Sequence, residues 1–336
     1  MGVITLGWAI WTAFQSGEHL LGETTASGPK HLREVVLEDN HSKDKILVLE
    51  INGVISGGSS GIRGSLVDSI RDQLDRAEDD EQVKAVVLRV DSPGGEVLAS
   101  DEIYQELRNF QSSNSIPVVA CMGSLAASGG YYVSAPCRWI VAHPLTLTGS
   151  IGVIFHGYNY RGLMDKVGIK PDVVKSGKLK DMFSGEHRED EVLPEEKIIL
   201  KDLVMESFDR FKSVVREGRH WAAEQNRAEG VKDGRELSAD WEKLADGRIL
   251  SGSQALNAGL VDELGNFDKA VDRAMKLAHL ESANLVSYQH PHTIDDFLGL
   301  WGKTSSGKVR VELPGILPES TMAQGRLYFM SPLHLR

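Results

Sequence analysis

Short apolar runs alternate with longer amphipathic segments through the first half of the chain. The apolar runs predict buried strands over 45–55, 83–90, 116–123 and 137–144. Apolar residues spaced three or four apart predict helices over 65–80 and 97–110. Because strands that alternate with helices form right-handed β-α-β units, this order predicts an α/β fold with a mostly parallel sheet.

The second half of the chain is strongly helical from residue 191 onward. The run over 191–218 carries an apolar stripe, which we expect to pack against the sheet or against a neighbouring subunit. Its heptads are not sustained, so a coiled coil is not expected. Residues 245–278 then predict a strand, a turn and a helix, and the proline- and glycine-broken segment 281–336 predicts a partly flexible extension.

The N-terminal segment, residues 1–14, carries no charge. As a helix it spans about 21 Å, which is shorter than the ~30 Å hydrocarbon core of a bilayer. It also lacks a basic flank and a small-residue cleavage site. We expect either a membrane anchor whose start is truncated or misassigned, or a short interfacial anchor, with a buried N-terminal helix as the alternative. The polar residues 15–43, which show no steady period, predict a linker.

Charge and cysteine usage argue against a nucleic-acid partner, a disulfide and a metal site. The formal net charge of −11 argues against a nucleic-acid partner, because phosphate binding requires clustered Lys and Arg. The two cysteines, Cys121 and Cys137, form neither a CxxC pair nor a Cys/His metal pattern. We expect two buried free thiols rather than a disulfide, and no metal site.

Three glycine-rich turns follow predicted strand ends: "DSPGGEV" (91–97), "GSLAASGGYY" (123–132) and "TLTGSIGV" (146–153). Parallel α/β sheets carry their chemistry at the carboxyl ends of their strands. Gly94 and Gly95 leave backbone N–H groups uncovered, which suits an anion or the oxyanion of a tetrahedral intermediate. A tight strand-to-helix turn without a ligand is an equally good explanation of this turn taken alone.

Ser128 is a candidate nucleophile because two alanines precede it and two glycines follow it. Small neighbours let a substrate backbone come close, and the glycines let a helix begin directly after the serine. Ser124 and Ser134 are rivals; the first fits a helix N-cap and the second falls on the following helix. Close helix packing at a small-residue site is the non-catalytic alternative for Ser128.

A serine nucleophile needs a base, and the sequence offers two kinds. His143 and His156 are close in sequence but have no evident carboxylate to orient them. Lysine is the other kind, provided that burial or positive surroundings lower its pKa. The polar loop over 173–187 supplies three lysines: Lys175, Lys178 and Lys180.

Five motifs together resemble one known family. The segments "DSPGG", "MGSLAASGGYYVSA", "TLTGSIGVI", "KSGKLKDMFS" and "ADGRILSGSQALNAGLVDELG" occur in the order and spacing of the signal peptide peptidase A family of S49-type serine peptidases, over roughly 45–275. The resemblance implies a ClpP/crotonase-like α/β fold with repeated β-β-α/β-α-β units and a helical C-terminal extension. It places the peptidase domain at 44–280, with a helical part at about 191–244.

The same resemblance assigns site residues motif by motif. It implies a Ser-Lys dyad with Ser128 as nucleophile and Lys180 as general base. Ser150 matches the polar residue that holds the lysine. The oxyanion-hole positions fall on Gly94, Gly95 and Gly129. Neither histidine falls on a catalytic position, and no cofactor is implied.

The chain carries a single copy of the motif set, which resembles the short form of the family. That form implies a homo-oligomeric ring in which serine and lysine meet across neighbouring protomers. It also implies peptide substrates such as signal-peptide remnants, and an extracytoplasmic catalytic domain tethered by residues 1–14. The tail ending "FMSPLHLR" is hypothesised to reach a neighbouring groove and be cut there.

Two other functions fit the same fold. A crotonase-type acyl-CoA enzyme would use the 91–97 turn for a thioester oxyanion and Glu96 as acid or base. A non-catalytic scaffold would keep the fold without the chemistry. The presence of the candidate serine, lysine and third polar residue together favours the peptidase.

Overall fold

A nine-stranded, mostly parallel sheet forms the centre of the described chain, which comprises residues 32–58, 65–290 and 327–330 of this computed structural model. Strands are numbered along the chain through this sheet and a second, smaller one. The large sheet contains β1 (Arg33–Glu38), β2 (Lys45–Asn52), β3 (Val83–Ser92), β5 (Val118–Ala127), β6 (Trp139–Ala142), β7 (Leu147–Gly149), β9 (Ile249–Ser251), β10 (Glu263–Leu264) and β11 (Asn284–Gln289). The second sheet has three strands, β4 (Gly94–Glu96), β8 (Ile154–Phe155) and β12 (Leu327–Met330), in the order β4-β12-β8.

Strand order in the large sheet is β1-β11-β2-β3-β5-β6-β10, with β7 beside the end of β5 and β9 antiparallel to β7. The central strands are parallel and apolar on both faces, as expected for a sheet that helices cover on each side. The predicted parallel α/β fold is thereby confirmed.

The described ranges contain seven α-helices: α1 (Leu66–Glu78), α2 (Val97–Asn114), α3 (Gly129–Ser134), α4 (Arg161–Val167), α5 (Pro194–Ala228), α6 (Gly252–Asn257) and α7 (Phe267–Leu277). A short 3-10 helix, Trp241–Leu244, lies between α5 and α6 in the chain. Ser65 caps α1 through a capping box with Asp68, which explains why this helix begins where the sequence predicts. Helices α1, α2, α3 and the second half of α5 cover one face of the sheet, and α7 covers the other.

Two strands of the large sheet come from outside the predicted peptidase domain of 44–280. Residues 33–38, inside the predicted linker, form β1 and pair antiparallel with β11. Residues 284–289, beyond the predicted domain end at 280, form β11 and pair in parallel with β2. Both segments gain their strand structure from pairing with a distant part of the chain. The predicted anchor at 1–14 lies outside the described residues.

Both cysteines are free and buried, as predicted. Burial raises the pKa of the Cys121 thiol to about 11 and also raises the pKa of Cys137. In the ranges that the structure describes, no helix combines the length and apolarity needed to cross a membrane.

A buried ion pair holds helix α5 against the sheet. The Nη2 atom of Arg219 lies 2.6 and 2.5 Å from the two carboxylate oxygens of Asp262, and both side chains are fully buried. Asp262 also accepts from the backbone N–H of Ile140, and Arg219 donates to the Cys137 carbonyl. The pair therefore joins α5, the start of β6 and the chain before β10.

Removal of one partner leaves the other charge buried without compensation. We expect Arg219→Met to lower the free energy of unfolding by about 3–5 kcal/mol, measured by chemical denaturation. The matched control is Arg216→Met, one turn earlier on α5, where Arg216 and Glu242 are each about half exposed. That control is expected to cost under about 1 kcal/mol, and an equal cost for both variants would contradict the role given to the buried pair.

Candidate active site

Strand β5 passes into helix α3 through a single residue, Ser128. Its φ of 55° and ψ of −117° put it in a conformation that non-glycine residues rarely adopt. The backbone N–H of Ser128 donates to the Gly149 carbonyl at 2.8 Å, and its carbonyl accepts from Tyr132 at 2.8 Å. The side chain is fully buried, and its Oγ has no hydrogen-bond partner among the described residues. Such a hydroxyl is available for a ligand.

The turn at Gly94 and Gly95 packs directly against the start of α3. Gly94 has a φ of 100°, so the turn requires glycine there. A Cβ built on Gly129 would lie 3.0 Å from the Gly95 amide nitrogen, and one built on Gly94 would lie 2.6 Å from the Gly129 amide nitrogen. The amides of Gly95 and Gly129 therefore border one small space beside Ser128.

The three glycine amides are not equivalent. The N–H of Gly94 donates to the Ser92 hydroxyl at 3.1 Å. The Gly129 N–H belongs to the first turn of α3, where helix geometry leaves amides without an intrahelical acceptor. The Gly94 N–H is therefore engaged within its own turn, whereas helix geometry leaves the Gly129 N–H without an intrahelical acceptor.

Ser150 lies next to Ser128 because β5 and β7 are parallel and in register. Ala127 pairs with Gly149, and the two serines follow at matching positions. Ser150 is 3% exposed and has a φ of 49°. It also lines an apolar cavity of about 400 Å³ whose wall includes Phe208 of helix α5. The structure therefore brings together Ser128, Ser150 and the glycine turn.

Strand β12, from the C-terminal region, lies between β4 and β8 beside this turn. We call the space between β4 and β8 the groove. In β12, Phe329 pairs with Gly95 in antiparallel register, and Tyr328 pairs with Ile154 of β8. The Gly94 carbonyl and the Glu96 N–H both bond to Ile55, so the Gly95 peptide groups face the other way, toward β12. Sequence reasoning missed β12, whose four residues show no alternating pattern.

The side chain of Phe329 anchors this strand. Its ring stacks on Tyr132 at 4.7 Å and contacts Phe211 of α5 at 4.7 Å. The Tyr132 hydroxyl donates to Asp101, which also accepts from Arg210. Burial and the Asp101 contact raise the pKa of Tyr132, so its hydroxyl remains neutral. The groove therefore holds an extended segment by strand pairing and by one aromatic side chain.

The two other candidate serines and the two candidate histidines make contacts elsewhere. Ser124 is exposed within β5, so its interpretation as an N-cap is wrong. The Ser134 hydroxyl donates to the Gly130 carbonyl at 2.8 Å. His143 accepts from the Leu145 amide through Nδ1, and His156 contacts the ring of Tyr158. None of these groups bonds to Ser128.

The three loop lysines differ in their partners. Lys175 forms an ion pair with Asp181 at 2.7 Å, and Lys178 forms one with Glu195 at 2.7 Å. Lys180 is exposed and forms no ion pair among the residues that the structure describes. Within one chain its amine makes no hydrogen bond to the buried Ser128 hydroxyl. The structure therefore assembles the serine half of the predicted dyad but does not bring Lys180 to it.

Comparison with known proteins identifies the family. The model of peptidase family S49 matches residues 110–230 and 223–281, and the Clp protease family model matches residues 38–149. The fold is accordingly ClpP-like. ClpP1 from Listeria monocytogenes aligns with 67% of this chain and 94% of its own, with 16% identity and a TM-score of 0.39.

Several curated relatives are much more similar in sequence. A putative signal peptide peptidase SppA from Enterococcus faecium is 38% identical over 270 residues, which cover 79% of this chain and 73% of the relative. A putative protease from Synechocystis sp. is 40% identical over 240 residues, covering 71% and 76%. The resemblance in the five motifs is thereby confirmed, and the chain belongs to peptidase family S49 as a ClpP-like protease related to signal peptide peptidase A.

Proposed function

We propose that the protein is a serine endopeptidase in which Ser128 is the nucleophile and Lys180 of another copy is the general base. One observation carries the proposal: a buried, unpartnered serine hydroxyl lies at the end of a groove that already holds an extended peptide segment. Membership of the S49 family supports the reaction class.

The glycine amides and the serine have complementary parts in this reaction. Oγ of Ser128 attacks the scissile carbonyl carbon while its proton passes to the neutral Lys180 amine. The carbonyl oxygen becomes an oxyanion, which accepts from the N–H groups of Gly95 and Gly129. Collapse of the intermediate breaks the C–N bond, and the leaving amine takes the proton from Lys180. Water then hydrolyses the acyl-enzyme by the same route in reverse.

Contacts within the loop favour Lys180 over its two neighbours. Lys175 and Lys178 each form an ion pair with a carboxylate, so their amines are already engaged. Among the residues that the structure describes, Lys180 has no such partner. A general base has to be neutral to accept a proton, so the proposal requires a second protomer that covers Lys180 and removes water from its amine. Ser150, one position from Gly149, is the acceptor that would orient the arriving amine.

We further propose that the substrate is an extended peptide, of the class of signal-peptide remnants. It would pair with β4 and β8 as β12 does, and shallow apolar surfaces would receive alternate side chains. Ring assembly and an extracytoplasmic position, tethered through residues 1–14, belong to the same proposal. The exposed apolar side chains of the first half of α5, Ile198, Leu203 and Met205, offer a surface for a neighbouring protomer.

The acyl-CoA alternative has weaker support. It would require a free carboxylate at Glu96, whereas the Glu96 oxygens accept from the Ser56 hydroxyl and the Gly57 amide at 3.3 Å. A scaffold without activity gives no reason for an unpartnered buried hydroxyl, because such a group costs about 1–3 kcal/mol in stability.

The first prediction for this site concerns the dyad. We expect Ser128→Ala and Lys180→Ala each to lower kcat on a signal-peptide-like fluorogenic substrate by at least about 1000-fold, because the first removes the nucleophile and the second removes its base. Lys178→Ala, which removes an exposed lysine of the same loop, should retain activity within twofold of wild type. Full activity of Lys180→Ala combined with loss in His156→Ala would instead indicate a histidine base.

Mixing the two inactive variants tests whether the dyad crosses protomers. A mixed ring contains some interfaces with an intact Ser128 on one side and an intact Lys180 on the other. Equal, random mixing should restore about a quarter of wild-type activity. Inactive mixed rings, shown by mass to contain both variants, would place the two residues in one chain.

The second prediction concerns the oxyanion site. We expect Gly129→Ala to lower kcat by about 100-fold or more, because its Cβ would lie 2.8 Å from the Ser100 hydroxyl and 3.0 Å from the Gly95 nitrogen and would displace the turn. Gly162→Ala is the matched control, since it is also helical but its Cβ would meet nothing within 4 Å. Wild-type turnover in Gly129→Ala would remove this amide from the mechanism.

The third prediction concerns the C-terminal tail. Because residues 327–330 lie in the groove as a substrate strand would, we expect the tail to be cut by the assembled enzyme. Intact mass after long incubation should show a shortened wild-type chain and a full-length Ser128→Ala chain. Equal masses would exclude self-cleavage. In this structure residues 327–330 lie in the groove of their own chain rather than in that of a neighbouring protomer.

A further inference from the structure

The loop that carries Lys180 is closed by a three-membered charged cluster. Nζ of Lys175 lies 2.7 and 2.9 Å from the two carboxylate oxygens of Asp181. Nε2 of His187 lies 3.0 Å from Oδ2 of the same carboxylate. The side chains of Asp181 and His187 are only 17% and 16% exposed. One carboxylate thus joins two residues that are twelve positions apart in the chain.

The backbone inside this loop forms consecutive tight turns. The Lys180 N–H donates to the Gly177 carbonyl at 3.2 Å, and the Ser184 N–H donates to the Asp181 carbonyl at 3.1 Å. Phe183 has a φ of 67°, and its ring contacts Phe155 of strand β8 at 5.2 Å. These contacts connect the turn to β8, the strand that borders the groove.

Hydrogen bonds from Lys175 and His187 keep the Asp181 carboxylate charged. The Lys175 hydrogen bond, and to a smaller extent the His187 contact, lower the pKa of Asp181 to about 2. The Asp181 carboxylate therefore stays charged throughout the neutral pH range. An isolated surface ion pair contributes little, but here one carboxylate closes a loop around Lys180, the residue directly before it in the chain.

Lys180 needs this support because its side chain forms no hydrogen bond or ion pair with the residues that the structure describes. A lysine side chain has four rotatable bonds, so the position of its amine depends on the backbone that carries it. A misplacement of about 1 Å in a reacting group costs up to 100-fold in rate.

We propose that Asp181 is a positioning residue, whose carboxylate holds Lys175 and His187 together and so fixes the turn that presents Lys180 to the nucleophile. This inference rests on the proposed role of Lys180 as the base. Asp181 does not touch the substrate; it acts through the geometry of the adjacent lysine.

The test compares variants that open the cluster from either end. We expect Asp181→Asn and Lys175→Met each to lower kcat about tenfold or more while KM stays within twofold, because the groove that binds peptide is untouched. The double variant should be no slower than the slower single variant, since both remove one contact. Asp181→Glu should recover at least a third of wild-type kcat. Rates are measured on rings isolated by size exclusion.

The matched control is Asp190→Asn, an exposed aspartate of the same segment that forms no ion pair among the described residues. It should keep wild-type kcat and KM. Wild-type kcat in both Asp181→Asn and Lys175→Met would overturn the proposal. So would a rise in KM at constant kcat, or loss of the ring in both variants, since these outcomes assign the cluster to substrate binding or assembly.

Lys180→Ala separates this inference from the proposed function. Activity in Lys180→Ala would refute the lysine base, whatever the cluster does. An inactive Lys180→Ala together with a fully active Asp181→Asn would keep the base and refute only the positioning role.

Discussion

The geometry of the site depends on the direct passage from strand β5 into helix α3. No loop residue separates them, so Ser128 alone absorbs the change of direction and takes a left-handed φ of 55°. A conformation of this kind costs about 1–3 kcal/mol and persists only where the surroundings impose it. Here the Gly149 carbonyl holds the amide of Ser128, and the glycine turn at 94–95 packs against Gly129 at backbone distance. Small side chains are required at these positions because three backbone segments meet there.

The same packing separates the two halves of the proposed dyad. Ser128 is enclosed, whereas Lys180 stands on an exposed loop. A general base has to be neutral to accept a proton, and water favours the charged form of an amine. Burial against a second protomer would both bring the amine to the serine and remove the water around it. Under the proposed mechanism, activation of the base and assembly are therefore one event, and a free monomer would be inactive.

Sequence patterns predicted the parts of the fold that rest on local signals. The apolar runs located β2, β3, β5 and β6 to within a few residues, and small residues around Ser128 indicated the strand-to-helix turn. Strands β1, β11 and β12 were missed because their structure comes from pairing with residues far away in the chain. The three loop lysines were indistinguishable in sequence until the resemblance selected Lys180, and their ion pairs now distinguish them physically. The link between Asp181 and His187 has no signal in one sequence, because it depends on how the loop folds back.

Strand β12 also covers the strand edges that an empty groove would leave unpaired. Strands β4 and β8 would present unpaired N–H and C=O groups if the groove were empty, and such edges readily pair with strands of other chains. A peptidase that binds substrates by strand addition must keep this edge available, so it cannot protect it with prolines or charges without losing its substrate. Residues 327–330 satisfy the edge within the same chain, and the Phe329 ring fills the adjacent apolar space. In the part of the chain that the structure describes, four residues form this pairing. A longer substrate strand with more hydrogen bonds has the means to displace them, and the edge is then covered in either state.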